Sequence, residues 1–213
     1  MTVENIVQIP ADGAILEGEL AVPAEPEGFV LFAHGSGSSR HSRRNHFVAR
    51  ALREAGIATL LFDLLTESEE AALDRRFDIG LLTRRLEAAT HWLEASQPAG
   101  IPLGYFGAST GAAAALEAAA HAGERIRAVV SRGGRPDLAA EVLPQVRAAT
   151  LLLVGGRDAE VLELNRQAFE RLSCAKRLVV VPGATHLFEE PSTLETVAGH
   201  AASWFESQLT ASA

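Results

Sequence analysis

The chain has 213 residues, 47% of them hydrophobic, which is enough for one sizeable core and too little for two catalytic domains of ordinary size. Its 27 acidic residues outweigh 19 Lys and Arg to give a formal charge of −8 with no dense basic face, which argues against nucleic acid and anionic membrane surfaces as principal partners. The one cysteine, Cys174, has no partner for a disulfide, the N-terminus has neither a basic start nor an apolar leader, and no run approaches the roughly 18 apolar residues of a membrane span, so a cytoplasmic protein is the expectation.

In chain order, residues 4–10 and 14–22 alternate polar and apolar side chains at the period of half-exposed strands, and Asp12-Gly13 between them signals a hairpin. Residues 28–33 are different, because Phe29-Val30-Leu31-Phe32-Ala33 is continuously apolar, as in a parallel strand covered on both faces. The same reading applies to residues 57–62, 101–106, 126–130, 150–154 and 178–181, making eight strands in all. Between them the apolar residues fall at helical spacing: Phe47, Val48, Ala51, Leu52 and Ala55; then Leu81, Leu82, Leu86, Ala89 and Leu93. An alanine-rich segment at residues 112–120, a helix through Val161, Leu162, Asn165, Phe169 and Leu172, and a last one through Val197, Ala201, Trp204 and Phe205 complete the set. This alternation predicts a single α/β domain over residues 1–213. Its sheet is doubly wound and mostly parallel, with helices on both faces, an antiparallel pair at the N-terminus and no lid domain. The small-residue tail 210–213 is expected to fray.

Such sheets carry their chemistry in the loops at the carboxyl ends of their strands. One of those turns is Gly107-Ala108-Ser109-Thr110-Gly111, set between a buried strand and the alanine-rich helix. That is the context in which a serine is forced up at a sharp strand-to-helix turn, with glycines leaving room on either side. A serine hydroxyl needs a base to remove its proton, and the base needs a group to orient it. Of seven histidines, His91, His121 and His200 fall on helices, and His34, His41 and His46 belong to the first loop. Only His186, in Pro182-Gly183-Ala184-Thr185-His186, follows a late strand closely enough to swing over Ser109. Asp158 ends the apolar run 151–154 and its following turn, from which a carboxylate could reach the imidazole or cap the next helix; Asp137 is the reserve acid. The oxyanion of a tetrahedral intermediate calls for backbone N–H donors. These are expected from Thr110, at the positive end of the alanine-rich helix, and from Ser36 in His34-Gly35-Ser36-Gly37.

Ser109, Asp158 and His186 thus follow in the order nucleophile, acid, base, with His34-Gly35-Ser36-Gly37 upstream and eight strands around them. On these residues the chain resembles the α/β-hydrolases over essentially its full length. Its small size without a lid, together with His34-Gly35-Ser36-Gly37 and Asp63-Leu64-Leu65-Thr66, is most similar to the dienelactone hydrolase family. Dienelactone hydrolases proper carry cysteine where this chain has Ser109, a departure that favours a general carboxylester hydrolase. The resemblance implies attack by Ser109 on a small-molecule ester, an acyl-enzyme, and its hydrolysis by water activated at His186, with no metal or organic cofactor. In agreement, the sequence has no HExxH, no paired CxxC and no phosphate-binding glycine motif following a strand. Acyl transfer, thioester hydrolysis or perhydrolysis would use the same triad, and a ligand-binding protein without catalysis would keep the fold.

Arg40, Arg43 and Arg44 crowd the first loop, and Arg132 and Arg135 flank Gly133-Gly134. Arg40, Arg43, Arg132 and Arg135 are candidates for holding an acidic or phosphorylated substrate by forked, charge-assisted bonds. The alternative is that they pair with Glu67, Glu69, Glu70 and Asp74 in the polar stretch 63–78, itself expected to form a short helix at one wall of an open, shallow site. Nothing in the sequence sets the oligomeric state.

Overall fold

In the computed structural model, which describes residues 2–98 and 100–210, eight strands form one sheet in the order β1-β2-β4-β3-β5-β6-β7-β8. Strands β1 (Val3–Ala11) and β2 (Ala14–Val22) form the antiparallel hairpin. Asp12 and Gly13 at its tip both have positive φ, the geometry whose twist suits a two-residue hairpin. Strand β2 also runs antiparallel to β4 (Ile57–Phe62), and from there every neighbour is parallel: β3 (Gly28–Ala33), β5 (Leu103–Ala108), β6 (Ile126–Arg132), β7 (Ala149–Gly155) and β8 (Lys176–Val181).

Helices cover both faces. On one, α4 (Ile79–Ser96), α5 (Thr110–Ala122) and α6 (Ala159–Arg171) pack over Phe29, Leu31, Tyr105, Val129 and Leu152. On the other, α1 (Arg43–Glu54) and α7 (Thr193–Leu209) enclose Val30, Phe32, Phe106, Val130 and Leu153 with Phe205. Each buried strand alternates its side chains between these two cores, which is why it reads as one continuous apolar run. Two expectations need correction. Strand β5 begins at Leu103, because Ile101 and Pro102 lie before the ladder; the Pro102 carbonyl is used by the Phe29 N–H at 2.9 Å. Strand β8 is paired on one side only and is half-exposed rather than covered on both faces. The stretch 63–78 folds into two short helices, α2 (Glu67–Glu70), closed by a reciprocal Thr66–Glu69 cap, and α3 (Leu73–Arg76). Of the tail expected to fray, Thr210 still caps α7, and residues 211–213 lie outside the described residues.

Backbone packs closely against backbone at the start of α5. A Cβ on Gly107 would lie 2.4 Å from the Ala112 Cα, and one on Gly111 would lie 2.2 Å from the Ala33 carbonyl oxygen and 2.4 Å from that of His34. Both glycines are there because helix backbone meets strand backbone directly, with no layer of side chains between them. The alanines behind, Ala112 to Ala115, are completely buried and small enough to continue that approach.

Gly111→Ala is expected to cost at least about 3 kcal/mol, since only backbone could move to relieve the overlap. Gly199→Ala, on α7 with nothing within 4 Å of the new Cβ, should instead gain about 0.5–1 kcal/mol by reducing the freedom of the unfolded chain. Urea unfolding of the two variants measures both.

Candidate active site

Ser109 stands between β5 and α5 with φ 51° and ψ −121°, a strained backbone for any residue but glycine. The surrounding bonds hold it there. Its N–H donates to the Arg132 carbonyl at 3.3 Å, and its own carbonyl accepts from the N–H groups of Ala112 and Arg135, each at 3.1 Å. The hydroxyl is accessible and makes no hydrogen bond among the described residues.

His186 arrives from the loop after β8 and Asp158 from the loop after β7. The two are joined by a 2.7 Å bond between His186 Nδ1 and Asp158 Oδ2. Asp158 stands at the start of α6, yet its side chain makes no bond to the helix, so the carboxylate is spent on the imidazole rather than on capping. Their loops are tied at the backbone: the Gly156 N–H donates to the Val181 carbonyl and the Arg157 N–H to the Ala184 carbonyl, both at 2.9 Å. A Cβ on Gly133 would be 3.5 Å from His186 Nδ1. The imidazole therefore lies over the end of β6, next to the residue that holds the Ser109 N–H. With Asp158 on Nδ1, the far nitrogen Nε2 makes no hydrogen bond among the described residues. Asp137, the reserve acid, forks instead onto Arg135 at 2.7 and 2.8 Å, within one turn of chain.

Ser36 and Thr110 also come together. The Ser36 N–H donates to Thr110 Oγ1 at 3.0 Å across 74 residues of sequence. The loop that carries Ser36 is anchored by His34, whose role the sequence did not disclose. It is buried, its Nδ1 bonded to the Gly35 carbonyl at 3.0 Å and its Nε2 accepting the Leu64 N–H at 3.0 Å. An imidazole that donates through one nitrogen and accepts through the other is neutral. Burial lowers its pKa from the ordinary 6.5, with the Gly35 bond and the charges of Asp63 and Glu70 acting the other way. Between Ser38, Ser39, Asp63, Leu65 and the carboxylates of α2 lies a cavity of about 240 Å³.

Where the loop arginines are paired, their partners are not the four acids named from the sequence. Arg40 is pinned by Asp63 and, at 2.6 Å, by Glu17, and Arg43 is exposed at the start of α1. Arg135 is occupied by Asp137. The acids named as partners go elsewhere: Glu70 to Arg76 at 3.0 Å and Glu69 to Arg85 at 2.8 Å. Arg132 is the exception. Only 8% exposed, it follows the face of β6 that packs toward α1 and α7, and its Nε and Nη1 have no hydrogen-bond partner among the described residues. Burial pulls its pKa down to about 10, and the neighbouring positive charge of Arg44 pushes the same way. Arg44 in turn holds Glu189, three residues beyond His186, at 3.1 Å, while its Nε is also buried and unpartnered. Glu190 accepts the Thr185 N–H at 3.1 Å and closes the histidine loop on itself. Nothing local in the sequence marks Glu189 or Glu190, whose partners are set by the fold.

A mostly parallel eight-stranded sheet with a strained serine at the tip of its fifth strand and a paired carboxylate and imidazole beyond it defines the α/β-hydrolase fold. The chain belongs to the dienelactone hydrolase family, whose sequence profile matches residues 30–210. The crystal structure of a dienelactone hydrolase from Anabaena variabilis is 52% identical, covers 97% of this chain and 98% of its own, and superposes with a TM-score of 0.93. An esterase of Pyrococcus furiosus, 18% identical over 97% of this chain and 93% of its own, shares the fold with a TM-score of 0.82. Among curated sequences, a Mycobacterium tuberculosis protein provisionally named a phosphoribosyl transferase is 59% identical over 205 residues. That match takes in 95% of this chain but 46% of the relative, so the chain spans about half the length of that protein. No helix among the described residues is long and apolar enough to cross a membrane.

Because the buried His34 resists protonation, the unfolded chain takes up that proton first as pH falls. The stability it lends is complete above pH 6.5 and is lost as pH drops through the lower folded value. Between about pH 7.5 and 5.5, the unfolding free energy of the wild type should therefore fall more steeply than that of His34→Asn, read from urea titrations at each pH.

Proposed function

We propose that this chain hydrolyses small carboxylic esters through an acyl-enzyme on Ser109, with His186 as base and Asp158 as its orienting acid. The observation that supports the reading is the 2.7 Å Asp158–His186 bond, together with a serine held in an otherwise disfavoured backbone. In the first half-reaction His186 Nε2 takes the Ser109 proton as Oγ attacks the ester carbonyl. The alcohol then leaves with that proton. In the second, His186 activates water against the acyl-serine. Asp158 keeps the ring in the tautomer whose Nε2 accepts, and stabilises the imidazolium that forms. The developing oxyanion falls at the start of α5, where the Thr110 N–H is among the donors that no intrahelical carbonyl can reach. The domain acts as one catalytic unit on a small-molecule substrate, in the cytoplasm.

Labelling with a fluorophosphonate should modify Ser109, and the chromophore burst from p-nitrophenyl acetate should vanish in Ser109→Ala. With that substrate, Asp158→Asn should lower kcat by about 10³ to 10⁴-fold. A near-silent Asp158→Asn beside a crippling Asp137→Asn would assign the acid to the other loop. Competing alcohol, thiol and peroxide acceptors, with product analysis, separate hydrolysis from acyl transfer, thioester cleavage and perhydrolysis.

For substrate charge, Arg132 is the arginine we assign, and Arg40, Arg43 and Arg135 are set aside because they are paired or exposed. A buried guanidinium without a counter-charge, beside a second one, costs the folded protein unless an anion completes it. We infer that the acyl or alcohol portion of the substrate carries a carboxylate or phosphate; the phosphoribosyl group invoked in the name of the M. tuberculosis relative carries such an anion. An ω-carboxylate ester should be cleaved with higher kcat/KM than its neutral analogue, by about 10 to 10²-fold, and Arg132→Met should erase the difference. The same substitution should raise the thermal midpoint, since it removes an uncompensated buried charge. Equal kcat/KM values for both esters in the wild type would refute this assignment.

A further inference from the structure

The Ser36 N–H, which a conventional two-amide oxyanion hole would aim at the substrate, is already engaged, donating to Thr110 Oγ1 at 3.0 Å. Thr110 is 2% exposed, and its hydroxyl makes no other hydrogen bond among the described residues. A threonine hydroxyl has one proton to give and two lone pairs to accept with. Having accepted from Ser36, Oγ1 still holds a proton with no acceptor among the described residues, on the residue whose backbone N–H is one of the free donors at the start of α5. Two donors on one residue, directly after the strained serine, are thus available next to the nucleophile. A hydroxyl that accepts a bond is also a better donor, because the bonds in such a chain polarise one another.

We propose that the Thr110 hydroxyl is a catalytic donor in its own right, taking the place in the oxyanion hole that the Ser36 N–H would otherwise fill. This rests on the serine hydrolase reading above and deepens it. When Ser109 Oγ forms its bond to the carbonyl carbon, the π pair moves onto the carbonyl oxygen and the serine proton passes to His186. The new oxyanion then accepts from the Thr110 N–H and from Thr110 Oγ1–H, while the Ser36 N–H polarises that hydroxyl from behind. Thr110 keeps its proton throughout. On collapse the pair returns to the carbonyl as the alcohol departs with the proton from His186.

The competing role for the same contact is a stopper, with the hydroxyl occupying the Ser36 N–H until substrate displaces it. The two roles predict opposite results for Thr110→Val, which keeps the branched shape and removes the hydroxyl. As a donor, its loss should lower kcat for p-nitrophenyl acetate by about 10²-fold with little change in KM, while Thr110→Ser, which restores the hydroxyl, recovers most of the rate. Affinity for a trifluoromethyl ketone, which forms a tetrahedral oxyanion on Ser109, should fall in parallel with kcat/KM, and inhibition by the product acetate should not change. If Thr110→Val is as fast as the wild type or faster, the hydroxyl is a stopper and the proposal fails. It fails equally if Thr110→Ser is as slow as Thr110→Val, because the methyl group and not the hydroxyl then matters. Thr110→Ala, with less bulk to place, carries the same expectations should Thr110→Val not fold. Wild-type turnover that survives in Ser109→Ala would defeat the serine hydrolase reading itself, an outcome distinct from any seen at Thr110.

Discussion

The approach of α5 to the tips of β3 and β5 leaves no space for a single side-chain carbon at Gly107 or Gly111, and the rest of the site depends on that contact. A helix brought in this close directs its first N–H groups at the sheet edge and forces the turn before it into the conformation seen at Ser109. The strain at Ser109 is held by three backbone bonds, to Arg132, Ala112 and Arg135, so the chain ending β6 participates as fully as β5 does. The residues that fix the serine also adjoin the histidine loop, because Gly133, next to Arg132, lies against His186.

Around this rigid centre the charges are distributed unevenly. Most cations at the rim are matched: Arg40 by Asp63 and Glu17, Arg135 by Asp137, Arg76 by Glu70. Such half-exposed pairs contribute little to stability, about 0–1 kcal/mol each, and serve mainly to hold loops. Against that background an uncompensated Arg132 is a departure from how proteins ordinarily treat buried charge, and departures of this kind gather where a ligand completes the electrostatics.

Much of this was legible in the sequence, for physical reasons that differ from element to element. Continuous apolar runs marked the buried strands because both faces of the sheet are covered, and Asp12-Gly13 marked the hairpin because few other dipeptides accept two positive φ values. The sequence also pointed to Ser109, Asp158 and His186 by their places at strand ends, and the structure joins Asp158 to His186 directly. What it could not supply were partners chosen in three dimensions. Arg40 is matched by Glu17 from β2 and Asp63 from the loop after β4, neither of them among the four acids named from the sequence. The bond between Ser36 and Thr110 joins two residues 74 positions apart that sequence could name only separately, as carriers of backbone donors. Strand β8 read as buried because its composition is apolar, and composition does not say which strand lies at the edge.

His34 ties the carbonyl of Gly35 to the N–H of Leu64 through one rigid ring, and thereby makes two loops from different strands into a single body. The Ser36 segment cannot shift without carrying with it the chain that leads into α2, and the wall of the cavity between them moves as a piece. Substitutions in residues 63–70 are in this sense mechanical inputs to the turn that lies against Ser109. Variation in that wall would tune the position of a backbone amide across the sheet, without altering the loop that carries it.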